Sequence, residues 1–413
     1  MDAELGTHGA ALIETLALAL GAAFLGGLVA RRIRLPSIAG YLLAGVVIGP
    51  FTPGLVASTG TASELAELGV ILLMFGVGIH FSIPELLAQK RIAIPGAIGQ
   101  IAVATVLGTV LGIALGWGVA GGVVLGLAVS VASTVVLLRA LMERGELDTP
   151  QGHIAVAWLI VEDLFTVAVL VLLPTVAPLL GGAGDMSVAD AALGVGLAIV
   201  KAVAFTALML VAGTRVIPAL LTMIARDDGR EEFTLAVLAI AIGIAWVASA
   251  LFGVSLALGA FLAGAVLAES EVSHKAAEDA LPLRDAFAVI FFVSVGMLLD
   301  PAFLVTEWPA VVAVSVLVIV AKSLAAFGIV TAFGYPMRIG LTVGAALAQV
   351  GEFSFILATL GRSLDLIPEA AFQLVVAGAL ISITLNPLMF RLIAPLEARL
   401  AARGPADAGA LPS

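Results

Sequence analysis

Long apolar stretches, separated by short links containing charged residues, glycine or proline, recur along the whole chain. A helix that crosses a bilayer needs roughly 20 apolar residues, and about 17 at the least when untilted. By that measure the pattern predicts thirteen spans, over 9–30, 35–50, 64–81, 92–116, 119–141, 153–174, 190–217, 231–251, 254–268, 282–299, 308–333, 337–360 and 369–394. The second and ninth are short. The expected fold class is an all-α polytopic membrane protein.

The basic residues test this reading. Sixteen of the 19 Lys and Arg fall in the loops after spans 1, 3, 5, 7, 9 and 11 or in the C-terminal tail. Of the other three, Arg362 lies in a loop of the opposite set, and Lys201 and Lys322 lie inside spans. A missed or invented span would scramble that alternation. Because positive loops stay on the cytoplasmic side, the N-terminus is expected outside and the C-terminus in the cytoplasm.

Composition agrees. Of 413 residues, 62% are hydrophobic and 12% charged, against about 25% charged in soluble domains. The net charge of −10 is divided between two faces, so no nucleic-acid partner is expected. Without cysteine, disulfides, thiol catalysis and cysteine-based zinc sites are excluded. His8, His80, His153 and His274 lack metal-ligand spacing, and no cofactor is expected. No basic segment precedes the first apolar run, which reads as a retained span rather than a signal peptide.

The chain also repeats itself. "GYLLAGVVIG" (40–49) matches "GAFLAGAVLA" (259–268) at an offset of 219, and "LLMFGVGI" (72–79) matches "IFFVSVGM" (290–297) at 218. Seven spans separate the partners, and an odd step inverts the topology. Inverted-repeat transporters place their sites near the midplane, often on discontinuous helices. Span 5 carries "SVASTVVLL", with Ser130, Ser133 and Thr134; adding 218 to 133 and 134 gives Gly351 and Glu352, in "AQVGEFSF" of span 12. Hydroxyls can serve backbone groups freed by a break, and glycine tolerates non-helical geometry. Two crossed discontinuous helices are therefore expected there.

Three midplane charges occur in one repeat only. Glu162 and Asp163 are the ninth and tenth residues of the apolar run Ile154–Leu173, and Lys322 is the fourteenth of 25 between Pro309 and Phe333. A charge at the bilayer centre costs about 2.5–3.5 kcal/mol or more, and such residues mark pathways and relays. Neighbours on a helix point about 100° apart, so Glu162 and Asp163 cannot share one partner. Lys322 is the expected charge partner of Glu162, a pair that could also serve packing alone. Asp163 is left to hold a monovalent cation when ionised and a proton when not, and competition at one site exchanges the two. Lys201 reads as a lysine whose stem reaches for the interface.

"GVILLMFGVGIHF", "ASTVVLLRAL", "WLIVEDL", "GAFLAGAVLAESE", "LPLRDAFAVIFFVSVGMLLDP", "KSLAAF" and "LAQVGEFSFILA", in that order, resemble the monovalent cation:proton antiporter-2 family. The nearest branch is the Kef-type potassium/proton antiporters, and among them the YbaL-like cation antiporters. The resemblance covers about residues 9–395. It implies a sodium/proton antiporter-like fold, a homodimer of thirteen-helix protomers in a bacterial inner membrane, and exchange of K⁺ or Na⁺ for protons by alternating access. It places the cation and proton at Asp163 with Glu162, the charge partner at Lys322, and the crossover at Ser133, Thr134, Gly351 and Glu352. The expected organisation is a transmembrane domain over 1–395, with repeats of roughly 35–180 and 254–395 linked by spans 7 and 8, and a short cytoplasmic tail over 396–413.

Glu162 departs from the Asn, Asp or Gln of relatives at that position. Kef-type relatives commonly continue into a dinucleotide-binding domain; no GxGxxG unit occurs here, so either the chain lacks nucleotide regulation or it is the membrane half of something longer, and a separate regulatory subunit is a candidate partner. A cation-coupled solute symporter is the alternative, but its cavity would need more polar groups than the midplane offers. A channel would need a continuous polar stripe. No HExxH or GxGD enzyme motif occurs, and no enzymatic activity is expected.

Overall fold

The computed structural model describes residues 2–54, 57–79, 83–182, 187–225, 230–268, 270 and 273–401. His80 and tail residues 402–413 lie outside them. Among the described residues the secondary structure is helical throughout: α1 (Asp2–Arg32), α2 (Ser37–Ile48), α3 (Thr59–Ile79), α4 (Ile83–Ala114), α5 (Gly118–Ser130), α6 (Thr134–Glu143), α7 (Pro150–Val176), α8 (Val188–Leu208), α9 (Thr214–Ala225), α10 (Arg230–Phe252), α11 (Leu256–Ala268), α12 (Ser273–Met297), α13 (Pro301–Thr306), α14 (Trp308–Val316), α15 (Lys322–Ala332), α16 (Met337–Ala346), α17 (Glu352–Ser363) and α18 (Glu369–Ala401). Each expected span falls on one helix or on a consecutive pair. Among the described residues nine stretches are long and apolar enough to cross a membrane, with three shorter apolar helices at Ser37–Ile48, Leu256–Ala268 and Met337–Ala346. Two of those three are the spans expected to be short. α18 continues past residue 394, to Ala401.

Packing separates inner from outer helices. The stretch Gly118–Glu143 has 72% of its most apolar window buried inside the protein, whereas Ala192–Ala225 has 11%. The outer helices turn large apolar side chains outward, among them Phe24, Leu193, Leu235 and Trp246. In a bilayer that surface meets lipid, which is as apolar as leucine and exacts no cost for the exposure. The broken helices sit where lipid does not reach, as non-helical backbone at membrane depth requires.

The repeat appears in the packing. α2 lies against α12, and α3 against both α11 and α12. Gly45 and Gly296 allow the first contact: a Cβ on Gly45 would lie 2.9 Å from Gly296 Cα. Gly264 and Gly78 allow the second, at 3.0 Å. The sequence offsets carry Gly45 onto Gly264 and Gly78 onto Gly296. The same glycine contact is thus built twice with its partners exchanged, as an inverted repeat demands, and only small residues let helix backbones approach this closely.

Candidate functional site

α5 stops at Ser130 and α6 begins at Thr134; Val131 (φ −88°, ψ 131°) and Ser133 (φ −84°, ψ 125°) between them are extended. α16 stops at Ala346 and α17 begins at Glu352 after an extended Gly351 (φ −103°, ψ 180°). The two breaks cross, and Gly351 N donates to Val131 O at 3.1 Å. A Cβ on Gly351 would collide with the Ala132 carbonyl, so the crossing depends on glycine at that position.

Breaking a helix orphans N–H and C=O groups at both new ends. A buried group left unpaired costs about 1–3 kcal/mol. Here side chains meet several of the orphans. Gln100 Nε2 donates to Ser130 O at 2.9 Å, and Ser133 Oγ caps α6 by accepting from Val136 N at 3.3 Å. Gln349 Oε1 accepts from Ser133 N at 2.9 Å while its Nε2 donates to Ser133 O at 3.1 Å. On the second break, Val350 N donates to Ser382 Oγ at 3.3 Å, Asn386 Nδ2 to Ala345 O at 2.9 Å and Ser323 Oγ to Gly344 O at 3.0 Å.

The charges complete this scaffold at the matching dipole ends. Helix N-termini favour carboxylates and C-termini favour cations. Glu162 Oε2 accepts from Ala132 N at 3.0 Å, just before α6, and Asp163 Oδ2 accepts from the Thr134 hydroxyl at 3.1 Å, on the first residue of α6. Glu352 is the first residue of α17. Lys322 Nζ donates to Gln349 O at 3.0 Å, beyond the C-terminal end of α16. A π-helical turn, Leu317–Ala321, ends at Lys322 and offsets it from the regular helical track; such turns often mark functional positions. All four side chains are buried.

Among the described residues Asp163 Oδ1 has no hydrogen-bond partner, whereas Glu352 interacts with the Ser133 side chain and Glu162 with the side chains of Gln100 and Trp158. Asp163 interacts electrostatically with Glu352 and with Glu162. Arg284, on α12, acts on Glu352 from a distance while pairing with Asp285 at 2.7 Å. Among the described residues, no group of three His, Cys, Asp or Glu is arranged to hold a metal ion.

Every expected site residue is thus in one place, though two expected pairings take another form. Glu162 and Lys322 interact through space, but no ion pair joins them among the described residues; each fastens a different break. Asp163, expected without a partner, receives the Thr134 hydroxyl. Lys201 is exposed on α8. Gln349, Gln100, Ser382 and Asn386 escaped the sequence reading, although each is a polar residue inside an apolar span; so did Ser354, whose Oγ donates to Val131 O at 3.4 Å. Arg284, one of the sixteen basic residues that the charge alternation counts outside the spans, lies within α12.

The chain is similar to known proteins over most of its length. The profile described as "Sodium/hydrogen exchanger, transmembrane" matches residues 20–394. The chain belongs to this exchanger family. YbaL of Escherichia coli (strain K12), which bears the name of a candidate cation/proton antiporter, is 56% identical over 386 residues, 94% of this chain and 69% of that protein. K(+) efflux antiporter 4 of Arabidopsis thaliana is 32% identical over 384 residues, 92% of this chain and 64% of the relative. Among solved structures, the sodium proton antiporter MjNhaP1 from Methanocaldococcus jannaschii at pH 8 superposes with a TM-score of 0.72 over 94% of this chain and 98% of that one. At 18% identity that likeness concerns the exchanger fold.

Proposed function

We propose that the protein exchanges a monovalent cation for protons across a membrane by alternating access, with Asp163 taking cation and proton in turn. The observation that carries this reading is the Asp163 carboxylate. It is buried at 3% exposure, and among the described residues one oxygen is met by the Thr134 hydroxyl alone and the other has no hydrogen-bond partner. Two further carboxylates act on it, and the lysine nearby is spent on a backbone carbonyl. A carboxylate so placed is neutralised by whichever positive species reaches it, a proton or an alkali cation. Glu162 and Lys322 hold the two breaks, and with them the geometry around Asp163. Glu352 adds negative potential on the other side.

Potassium is the favoured cation, because relatives such as K(+) efflux antiporter 4 bear that name; sodium is the other candidate. The protein works as a homodimer in a bacterial inner membrane, with thirteen crossings, its N-terminus outside and its C-terminus in the cytoplasm. Its repeats cover roughly 35–180 and 254–395, and a separate regulatory subunit would act from the cytoplasmic face. The glycine contacts that join α2, α3, α11 and α12 make one body. α4–α7 and α14–α18, which carry the crossing, make the other. Movement of one against the other alternates access to Asp163.

The test is proton flux in proteoliposomes on addition of K⁺, Na⁺, Li⁺ or Rb⁺. A flux driven by an alkali cation, greatest with K⁺, is expected. A protein that moves no protons with any of the four would overturn exchange, and a flux confined to Na⁺ and Li⁺ would overturn the choice of potassium.

A further inference from the structure

A cavity of about 570 Å³ opens where the end of α1, the end of α6 and the second half of α18 meet. Five arginines line it: Arg31 and Arg34 from the α1–α2 turn, Arg139 and Arg144 from α6 and its C-terminal cap, and Arg391 from α18. Glu143 is the one acid in the lining. Arg144 is spoken for in part, with Glu146 at 3.8 Å and the Phe390 ring 5.1 Å beneath its guanidinium. Arg31, Arg34, Arg139 and Arg391 form no ion pair among the described residues and are exposed. The floor is apolar where Ile38, Val136 and Phe390 reach it.

Arg34 also sits in a left-handed conformation, with φ 62°. It ends α1 in the position that glycine usually takes, with Leu35 N donating to Ala30 O at 2.8 Å across it. A residue with a Cβ is strained there. The chain thus accepts backbone strain to keep a guanidinium at a mouth already crowded with like charges. Positive charge on this face orients the chain in the membrane, but orientation does not call for a left-handed arginine at a cavity mouth.

We propose that this cavity binds a phosphate-bearing anion. Guanidinium groups bind phosphate with paired hydrogen bonds, and basic pockets between membrane helices on the cytoplasmic side suit anionic headgroups. The floor would take the glycerol or first acyl carbons of a phospholipid; a soluble phosphate would use the arginines alone. Either way, the bound anion bridges the α1–α2 turn to α6 and α18. α6 is the half-helix whose first residue bonds Asp163, and α18 holds the second break through Asn386. The anion would thereby link the static and moving parts of the molecule.

The test uses the purified full chain in two arms. Native mass spectrometry follows retention of cardiolipin, with zwitterionic phosphatidylcholine as the net-neutral control. Thermal unfolding follows addition of inorganic pyrophosphate, with sodium chloride at equal ionic strength as its control. The variants are Arg34→Gly with Arg139→Gln, and Glu143→Gln. Binding of one or both anions above its control is expected, weakened about tenfold or more by loss of two cations and tightened by Glu143→Gln. Because Arg34→Gly relieves the left-handed backbone, that variant should fold at least as well as the parent while binding less. Retention of cardiolipin alone would assign the lipid source, and a shift with pyrophosphate alone the soluble one. Absence of binding in both arms, or binding unchanged in the double variant, would overturn the site.

Discussion

Gln349 holds Ser133 by both ends of its amide, accepting from its N–H at 2.9 Å and donating to its C=O at 3.1 Å. The two residues stand 216 positions apart in the chain, one on each break. This amide supplies, from a side chain, the pairing that the interrupted helix would have supplied itself. Gln349→Leu should destabilise the protein by roughly 2–6 kcal/mol, since it orphans a buried donor and a buried acceptor at about 1–3 kcal/mol each. Gln349→Glu keeps the acceptor but sets a carboxylate oxygen against the Ser133 carbonyl and adds a buried acid, so it should also destabilise. Chemical denaturation in detergent measures both, and equal stability of Gln349→Leu and the parent would refute this role.

Gly351→Ala should cost about 1–3 kcal/mol, as overpacking does, because its Cβ meets the Ala132 carbonyl. The damage should extend to transport, since the crossing positions Thr134 against Asp163. Gly328→Ala, where a Cβ meets nothing within 4 Å, is the control. A Gly351→Ala protein that is as stable and active as the control would show that the breaks tolerate separation.

Lys322 and Glu162 act on each other through space while each bonds a backbone group of a different break. Lys322→Met should therefore cost about 2–3 kcal/mol, mainly through the lost bond to the Gln349 carbonyl. Glu162→Gln should cost less, because an amide oxygen still accepts from Ala132 N. In the double variant the losses should fall short of their sum by about 1 kcal/mol, within the range measured for coupled neighbours. Full additivity would mean that the two charges do not feel each other.

Glu352 supplies negative potential to Asp163 without bonding it. Glu352→Gln should raise the cation concentration needed for half-maximal exchange and leave the maximal rate within a few-fold of the parent. Glu352→Ala should do the same and also lose some stability, since it removes the interaction with the Ser133 side chain at the crossing. Unchanged cation dependence in both variants would remove Glu352 from the site's electrostatics.

The helices were readable because a bilayer demands long apolar runs, and the breaks because "SVAST" and "QVGE" put hydroxyls and glycine into such runs at equal offsets. Glu162, Asp163 and Lys322 stood out through the cost of charge at the midplane. Their hydrogen-bond partners did not. A carboxylate and an ammonium on separate spans suggest an ion pair, but sequence does not show that nearer backbone orphans claim both groups first. Gln349 and Asn386 look like ordinary helix residues until the break leaves carbonyls for them to meet. Arg284 lies in the first half of α12, and only its packing across Gly76 brings it near Glu352.

The reading of Asp163 as the exchanging group stands or falls on one comparison: potassium-driven proton flux by parent and Asp163→Asn proteins in matched proteoliposomes. Thermal unfolding and size-exclusion chromatography would confirm that both are folded. Asparagine keeps an oxygen to accept from Thr134 and loses the charge, so the variant should fold and its flux should fall to that of protein-free liposomes. A folded Asp163→Asn protein that exchanges potassium for protons near the parent rate would contradict it.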